Sequence, residues 1–316
     1  MTEDARILQY EINPRMSDHF PLKWSVIFGK KAHLALEIGC GNGEFLAAWA
    51  KAKPSWNFIG IELSLASAER TQSRIFREKL SNVRIIRDDA RFAVRELFSD
   101  QSLQYIMVNF PDPWPKDKHR HRRLVLPDFV YAVSSVLQMD GVFELVTDQE
   151  WYANDSRYYF DADNLFEVSG VESEFIREVS TKYERKWQSL QRKNYRLSAV
   201  KKKSRAVKRI MEEKMPHIVI QKKSIPENIN GLKGLVRKNS GFIYKILDVF
   251  RDLSGKAFLL RMVTSDGDYR QNFFILVAEY DQGFIVKIDP GYQPYRTPAV
   301  KAAIADIGQY LESGKI

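Results

Sequence analysis

From residue 34 to about 150, short apolar or β-branched runs alternate with longer stretches of helical periodicity. LALEIGC (34–40), WNFIGIEL (56–63), NVRIIRDD (82–89), LQYIMVNF (103–110) and GVFELVTD (141–148) read as strands. EFLAAWAKA (44–52), ASAERTQSRIFREKL (66–80), RFAVRELF (91–98) and LPDFVYAVSSVL (126–137) read as the helices between them. Near-continuous apolar strands that alternate with helices predict a mostly parallel sheet covered on both faces. Ligands of such sheets bind outside the carboxyl ends of the strands. The polar and glycine positions that follow each run, 39–43, Glu62, Asp89, Asp112 and Asp148, are therefore the ones to read for chemistry.

The second half of the chain has a different rhythm. Leu197, Val200, Val207 and Met211 lie at near-heptad spacing among lysines and arginines, which predicts a short basic helix over 197–215 that Pro216 ends. Beyond it, FIYKILDVF, AFLLRMVT, NFFILVAEY and GFIVKID are β-rich and joined by SGK, SDGD and DQG, the residues of hairpin turns. Thr297-Pro298 offers an N-cap and a first-turn proline for a closing helix to about Glu312. The organisation expected is an N-terminal arm (1–33), an α/β domain (34–196), a basic helix and linker (197–216) and a smaller α+β domain (217–316).

Charge sharpens this picture. The chain carries +9 over 316 residues, but residues 182–223 hold fifteen Lys/Arg against three Glu. That belt is +12, so the remainder sums to −3. A basic belt on a near-neutral body points to a polyanion, nucleic acid first, against the plainer reading of a solvated face and linker. The single cysteine, Cys40, excludes an internal disulfide and a cysteine-built zinc site. No apolar run approaches the roughly 18–20 residues of a membrane span, and the first residues lack a signal's apolar core. A cytoplasmic protein with no membrane partner is expected.

Glu37-Ile38-Gly39-Cys40-Gly41-Asn42-Gly43 allows a sharp backbone turn with a ligand lying against it. Glu44 stands where a dinucleotide fingerprint needs its third glycine, and no Gly-Lys-Ser/Thr follows for a P-loop. Glu37 can hold an ammonium, Glu62 can accept both hydroxyls of a ribose, and Asp89 can meet the amine of an adenine, although acids at such places also serve as helix caps. One ligand that carries all three groups is S-adenosylmethionine. Next, Asp112 lies between Pro111 and Pro113, whose fixed φ angles hold a carboxylate in place. Trp114 can wall a base pocket. The run Lys116 to Arg123 is dense in phosphate donors, and His119 and His121 lack the neighbouring ligands a metal needs.

Together, LEIGCGNGEFL, GIE, DDA, NFPDPWPK with its basic follower, VTDQE and STKYE resemble the bacterial tRNA (guanine-N7-)-methyltransferase family over roughly residues 20–200. The glycine loop is common to class I methyltransferases, whereas the DPWPK element with its basic run is specific. The resemblance implies a Rossmann-like class I methyltransferase domain that moves a methyl from S-adenosylmethionine, leaving S-adenosylhomocysteine, to N7 of guanosine 46 in the tRNA variable loop. It implies cofactor contacts at Glu37, Gly39, Gly41, Gly43, Glu62, Asp89 and Asp112, with Asp112 also catalytic. Substrate contacts fall on Lys116, Asp148, Thr181, Lys182, Tyr183 and Glu184. RNA contacts fall on Lys118, His119, Arg120, His121, Arg122 and Arg123. No metal and no obligatory protein partner are implied. Gln191 and His121 depart from the family's usual glycine and lysine, changes that bear on RNA affinity more than on chemistry. Two other classes are weighed against this: a non-catalytic RNA-binding protein on the same fold, and a nicotinamide dehydrogenase, which Glu44 disfavours.

Overall fold

The computed structural model describes residues 9–177, 179, 193–211, 214–222, 227–281 and 283–314. It divides into two compact units, one of residues 1–14 and 21–209 and the other of 15–20 and 210–316.

The first unit is built on an eight-stranded sheet. Its strands are β1 (Glu11–Ile12), β2 (Leu34–Ile38), β3 (Asn57–Ile61), β4 (Val83–Ile86), β5 (Leu103–Asn109), β6 (Leu137–Thr147), β7 (Phe166–Val168) and β8 (Tyr195–Lys201), in the order β1-β4-β3-β2-β5-β6-β8-β7. Pairings from β1 through β6 are parallel, and β8 runs antiparallel to both β6 and β7. Every residue of β2 and β3 is buried, as befits strands covered on both faces. The covering helices are α1 (Trp24–Phe28), α2 (Glu44–Ala52), α3 (Leu65–Arg77), α4 (Ala90–Leu97), α5 (Pro127–Val136) and α6 (Glu150–Asp161).

Strand order reverses direction at β2, whose neighbours are β3 and β5. The crevice outside the carboxyl ends of β2 and β5 is thus the binding position of an open α/β sheet. Gly60 shows how tightly α2 lies on this sheet. A Cβ there would come within 2.7–2.9 Å of the side-chain ends of Leu46, Cys40 and Ile85, all of which would have to shift to admit it.

The helix expected over 197–215 is absent. Tyr195–Lys201 is a strand instead, and 202–211 is irregular. Within it Leu197, Ala199 and Lys201 are buried in alternation, a period of two that the near-heptad apolar spacing masks. The free edge of β6 decides the matter, since pairing Leu145 with Leu197 and Phe143 with Ala199 satisfies a row of backbone groups and buries both side chains. The irregular segment is strapped to the domain by its basic side chains. Arg205 pairs with Asp163 and lies over the Tyr131 ring, while Arg209 reaches Asp100 and the carbonyls of Arg95 and Phe98.

The second unit is a six-stranded antiparallel sheet, β10-β11-β12-β13-β14-β9, with one helix. Its strands are β9 (Ile218–Ile220), β10 (Val236–Lys238), β11 (Phe242–Arg251), β12 (Ala257–Asp266), β13 (Tyr269–Tyr280) and β14 (Gly283–Ile288), and the helix is α7 (Pro298–Ser313). Tyr244, Met262, Phe273, Phe284, Ile304 and Leu311 are among its core residues. Pro298 opens α7 as the sequence suggests, but Thr297 does not cap it. Asp266 of β12 accepts from the Ala299 amide instead, while the Thr297 hydroxyl accepts from Gln271.

The described residues of the N-terminal stretch, 9–33, are shared between the two units. Glu11–Ile12 adds to the first sheet beside β4, and α1 packs Trp24 on Phe98 with ring centroids 5.1 Å apart. Between them, 15–20 belongs to the second unit, where Arg15 donates to the Tyr269 hydroxyl and lies over the Tyr295 ring.

Candidate functional site

The glycine loop leaves β2 with Gly39, Gly41 and Gly43 all at positive φ, a path that glycine follows without strain. Gly43 has a second constraint. A Cβ there would stand 2.5 Å from the Thr71 methyl on α3, and the Thr71 hydroxyl donates to the Gly41 carbonyl at 2.7 Å. Gly43 therefore belongs to the packing of the loop on α3. Arg70 and Arg74 fix the same loop through the Asn42 side chain and carbonyl.

Three carboxylates surround this turn. Glu62, just past β3, accepts from the Gly41 amide at 2.8 Å with one oxygen and from the Ser64 amide at 2.9 Å with the other. Each oxygen keeps a second lone pair, so the group can still receive a ribose hydroxyl. Asp89 caps α4 by accepting from the Arg91 amide, and the Arg91 guanidinium lies beside it. Helix capping and ligand contact, alternatives in sequence, are compatible in this geometry.

Glu37 is the most informative of the three. It is 2% exposed, and one oxygen accepts from Asn109 Nδ2 at 2.9 Å. The other, Oε2, is buried with no hydrogen-bond partner among the described residues. Burial pushes the carboxyl up to about 8, against the opposing influence of Asn109, Arg177 and the Leu46 backbone amide. A buried carboxylate oxygen without a donor is costly unless a cation meets it. The residues here thus fit an ammonium-bearing ligand at the β2–β5 crevice.

The Asp112 turn follows β5. Phe110 and Trp114 take φ values of 47° and 45°, so two non-glycine residues in the left-handed region flank the Pro-Asp-Pro stretch. Such backbone persists only where its surroundings enforce it. Here the Phe110 amide donates to the Val146 carbonyl at 2.7 Å, and Arg123 donates twice to the Trp114 carbonyl. Asp112 itself is exposed at the tip. Asp148 is half-buried, one residue beyond β6.

The basic run forms a two-turn 3-10 helix over Asp117–Arg122. Lys116, Lys118, His121 and Arg122 are exposed, and His119 packs edge-on against Trp114, over which Arg122 also lies. Trp114 is thus walled by its own basic neighbours. Arg120 donates to the Tyr159 hydroxyl. Arg123 departs most from its expected RNA contact, being 5% exposed, paired with Asp155 and stacked over Trp151. It pins the Asp112 turn from inside the domain. Thr181, Lys182, Tyr183, Glu184 and Gln191 lie outside the described residues.

The family model for a putative methyltransferase matches residues 31–197. The chain is 40% identical over 308 residues to the tRNA (guanine-N(7)-)-methyltransferase of Thermotoga maritima, covering 96% of this chain and 97% of that protein. It is 32% identical to the protein of the same name from Coprothermobacter proteolyticus, over 96% of this chain and 94% of that one. This chain belongs to the tRNA (guanine-N(7)-)-methyltransferase family. A third member, from Thermus thermophilus, is 30% identical over 95% of this chain and 96% of its own length. Coverage this long takes in the second unit of the enzyme, which the sequence motifs alone left without a counterpart.

Two residues of the site carry little sequence signal. Asn109 opens the NFPDPWPK motif, but only the register of β2 beside β5 shows that it faces Glu37. Arg177 belongs to no motif. It donates to Asn109 Oδ1 at 3.0 Å, and its Nε stands 3.4 Å from Glu144 Oε1. Among the described residues no group of three or more metal-ligating side chains occurs.

Proposed function

We propose that this enzyme transfers a methyl group from S-adenosylmethionine to N7 of guanosine 46 in the tRNA variable loop. Carrying the reading is the full-length relationship to tRNA (guanine-N(7)-)-methyltransferases, met by an ammonium-fitting carboxylate at the head of the fold's binding crevice.

Bound S-adenosylmethionine supplies an electrophilic methyl on a sulfonium. Glu37 Oε2 holds the donor's ammonium, Glu62 takes the ribose hydroxyls with its remaining lone pairs, and Asp89 is placed for the adenine amine. Gly39 and Gly41 give the backbone its close approach. N7 of guanine carries a lone pair and no proton, so the transfer needs no general base. Positive charge grows on the purine instead. Asp112, held by its two prolines and the strained residues outside them, orients the guanine and stabilises that charge. Asp148 and the segment Thr181, Lys182, Tyr183 and Glu184 complete the guanosine side, with Lys116, Lys118, His119, His121 and Arg122 on phosphates.

Asp112→Asn keeps the shape and removes the charge. Turnover at saturating tRNA should fall by about 10²–10³-fold, the usual scale for a lost electrostatic partner. S-adenosylhomocysteine binding should change by less than tenfold. Full turnover in the variant would refute the charge role. A protein that binds tRNA but neither binds S-adenosylhomocysteine nor transfers methyl would be the non-catalytic alternative.

A further inference from the structure

Behind the cofactor crevice lies a buried chain of polar contacts that the transfer chemistry does not use. Glu37 Oε1 accepts from Asn109 Nδ2 at 2.9 Å, and Asn109 Oδ1 accepts from Arg177 Nη1 at 3.0 Å. Arg177 Nη2 contacts Met107 Sδ at 3.0 Å, and its guanidinium lies 4.6 Å from the centre of the Phe45 ring. Glu144, the ion-pair partner of Arg177, also accepts from the Tyr105 hydroxyl at 2.9 Å. The side chains of Arg177 and Glu144 are 7% and 10% exposed, while Asn109 and Tyr105 at either side of them are half-buried.

An amide in the middle of such a chain has no freedom. Asn109 must turn its oxygen toward the guanidinium, which leaves its NH2 group as the donor to Glu37. Arg177 therefore dictates which end of Asn109 faces the carboxylate. With the amide reversed, an acceptor would face Glu37, and the carboxylate would lose its side-chain hydrogen bond from Asn109.

We propose that Arg177 is a positioning residue: acting through Asn109 it fixes the aim of Glu37 at the methyl donor's ammonium. The inference rests on the S-adenosylmethionine reading of the crevice. Among the described residues, the charged and titratable groups that act on Glu37 are Arg177, Glu62 from the end of β3 and the buried Cys40 thiol of the glycine loop. Arg177 is the only cation of that set, and it favours the ionised form that an ammonium requires.

The test is calorimetric binding of S-adenosylhomocysteine, without RNA, from about pH 6 to about pH 8. Wild-type affinity should rise across that range as Glu37 ionises. Arg177→Met should weaken binding by about tenfold or more near neutrality and displace the rise to higher pH. In a Glu37→Gln background, where this carboxyl no longer titrates, Arg177→Met should add little. Arg177→Lys, which restores the charge, should recover part of the pH profile. Arg177→Met also strips the buried Glu144 of its ion-pair partner and can unfold the domain. Asn109→Ala, which leaves the Arg177–Glu144 pair in place, breaks the same relay and carries the same expectation. Wild-type affinity and pH profile in these variants would overturn the proposal. So would a loss equal at every pH and undiminished by Glu37→Gln, which marks a merely structural effect. If the wild-type protein itself fails to bind S-adenosylhomocysteine, the cofactor reading fails, a result separate from any difference between variants.

Discussion

Glu37 illustrates what a buried carboxyl costs a fold. Its carboxyl ionises near 4.5 when free and near 8 in the folded protein, chiefly through burial. Between those values the folded state holds a proton that the unfolded state releases. Its contribution to stability is therefore complete below about pH 4.5 and is lost as pH rises through about 8. The loss is on the order of a few kcal/mol for a carboxyl so displaced. Glu37→Gln should accordingly narrow the drop in the ligand-free protein's melting temperature between about pH 6 and pH 9, while weakening binding of the methyl donor. A scan by calorimetry at the two pH values checks both the sign and the residue, because the wild-type drop should persist in Glu62→Gln. Cys40 lies beside this carboxyl, and burial raises its thiol as well, leaving it a packing residue and not a nucleophile.

At the scale of elements, the glycine loop and α3 form one packed piece. Gly43→Ala places a methyl against Thr71 and a side chain at φ +69°, two penalties at one position. The variant should lose roughly 1–3 kcal/mol, read as a shift in the urea midpoint with an unchanged slope. Thr71→Ala in the same chain should recover part of it by making room. An unchanged midpoint in Gly43→Ala would show that the loop relaxes freely. Much of the first unit was legible in the sequence because its strands are continuous apolar runs whose helices begin where the pattern changes. EFLAAWAKA, for instance, coincides with α2. The stretch after residue 195 was not, because two periodicities compete there and the open edge of β6, a tertiary feature, selects the strand. Capping misled in the same way at Thr297, where a carboxylate distant in sequence reaches the helix end first. Site acids at strand ends could be read from position alone. Asn109 and Arg177 needed the register of neighbouring strands, and the burial of Arg123 needed the whole Asp112 turn.

For the molecule as a whole, charge must be divided between structure and ligand. The +12 belt is not all available to RNA. Lys201 is buried and donates to the Leu137 carbonyl, Lys202 pairs with Asp140 and Glu167, and Arg205 and Arg209 strap their segment to the domain. Beside Asp112, the exposed Lys and Arg side chains among the described residues are Lys116, Lys118, Arg120 and Arg122, of which Arg120 is engaged by Tyr159. Each phosphate neutralised adds about −0.7 to −0.9 to the slope of log affinity against log salt. Replacing Lys118 and Arg122 by Gln should flatten that slope by about 1.5, whereas Arg205→Gln should leave it unchanged and cost stability instead. Equal effects from both would mean that the belt acts on RNA as a diffuse field.

The most direct measurement is the reaction itself. The full chain is incubated with S-adenosylmethionine and an unmodified tRNA transcript, and the digested product is read by mass spectrometry for methylated nucleosides and their positions. The account predicts 7-methylguanosine at the variable-loop guanosine, lost when that guanosine is replaced and slowed by Asp112→Asn. A methyl on another base, or none while S-adenosylmethionine is demonstrably bound, would contradict it.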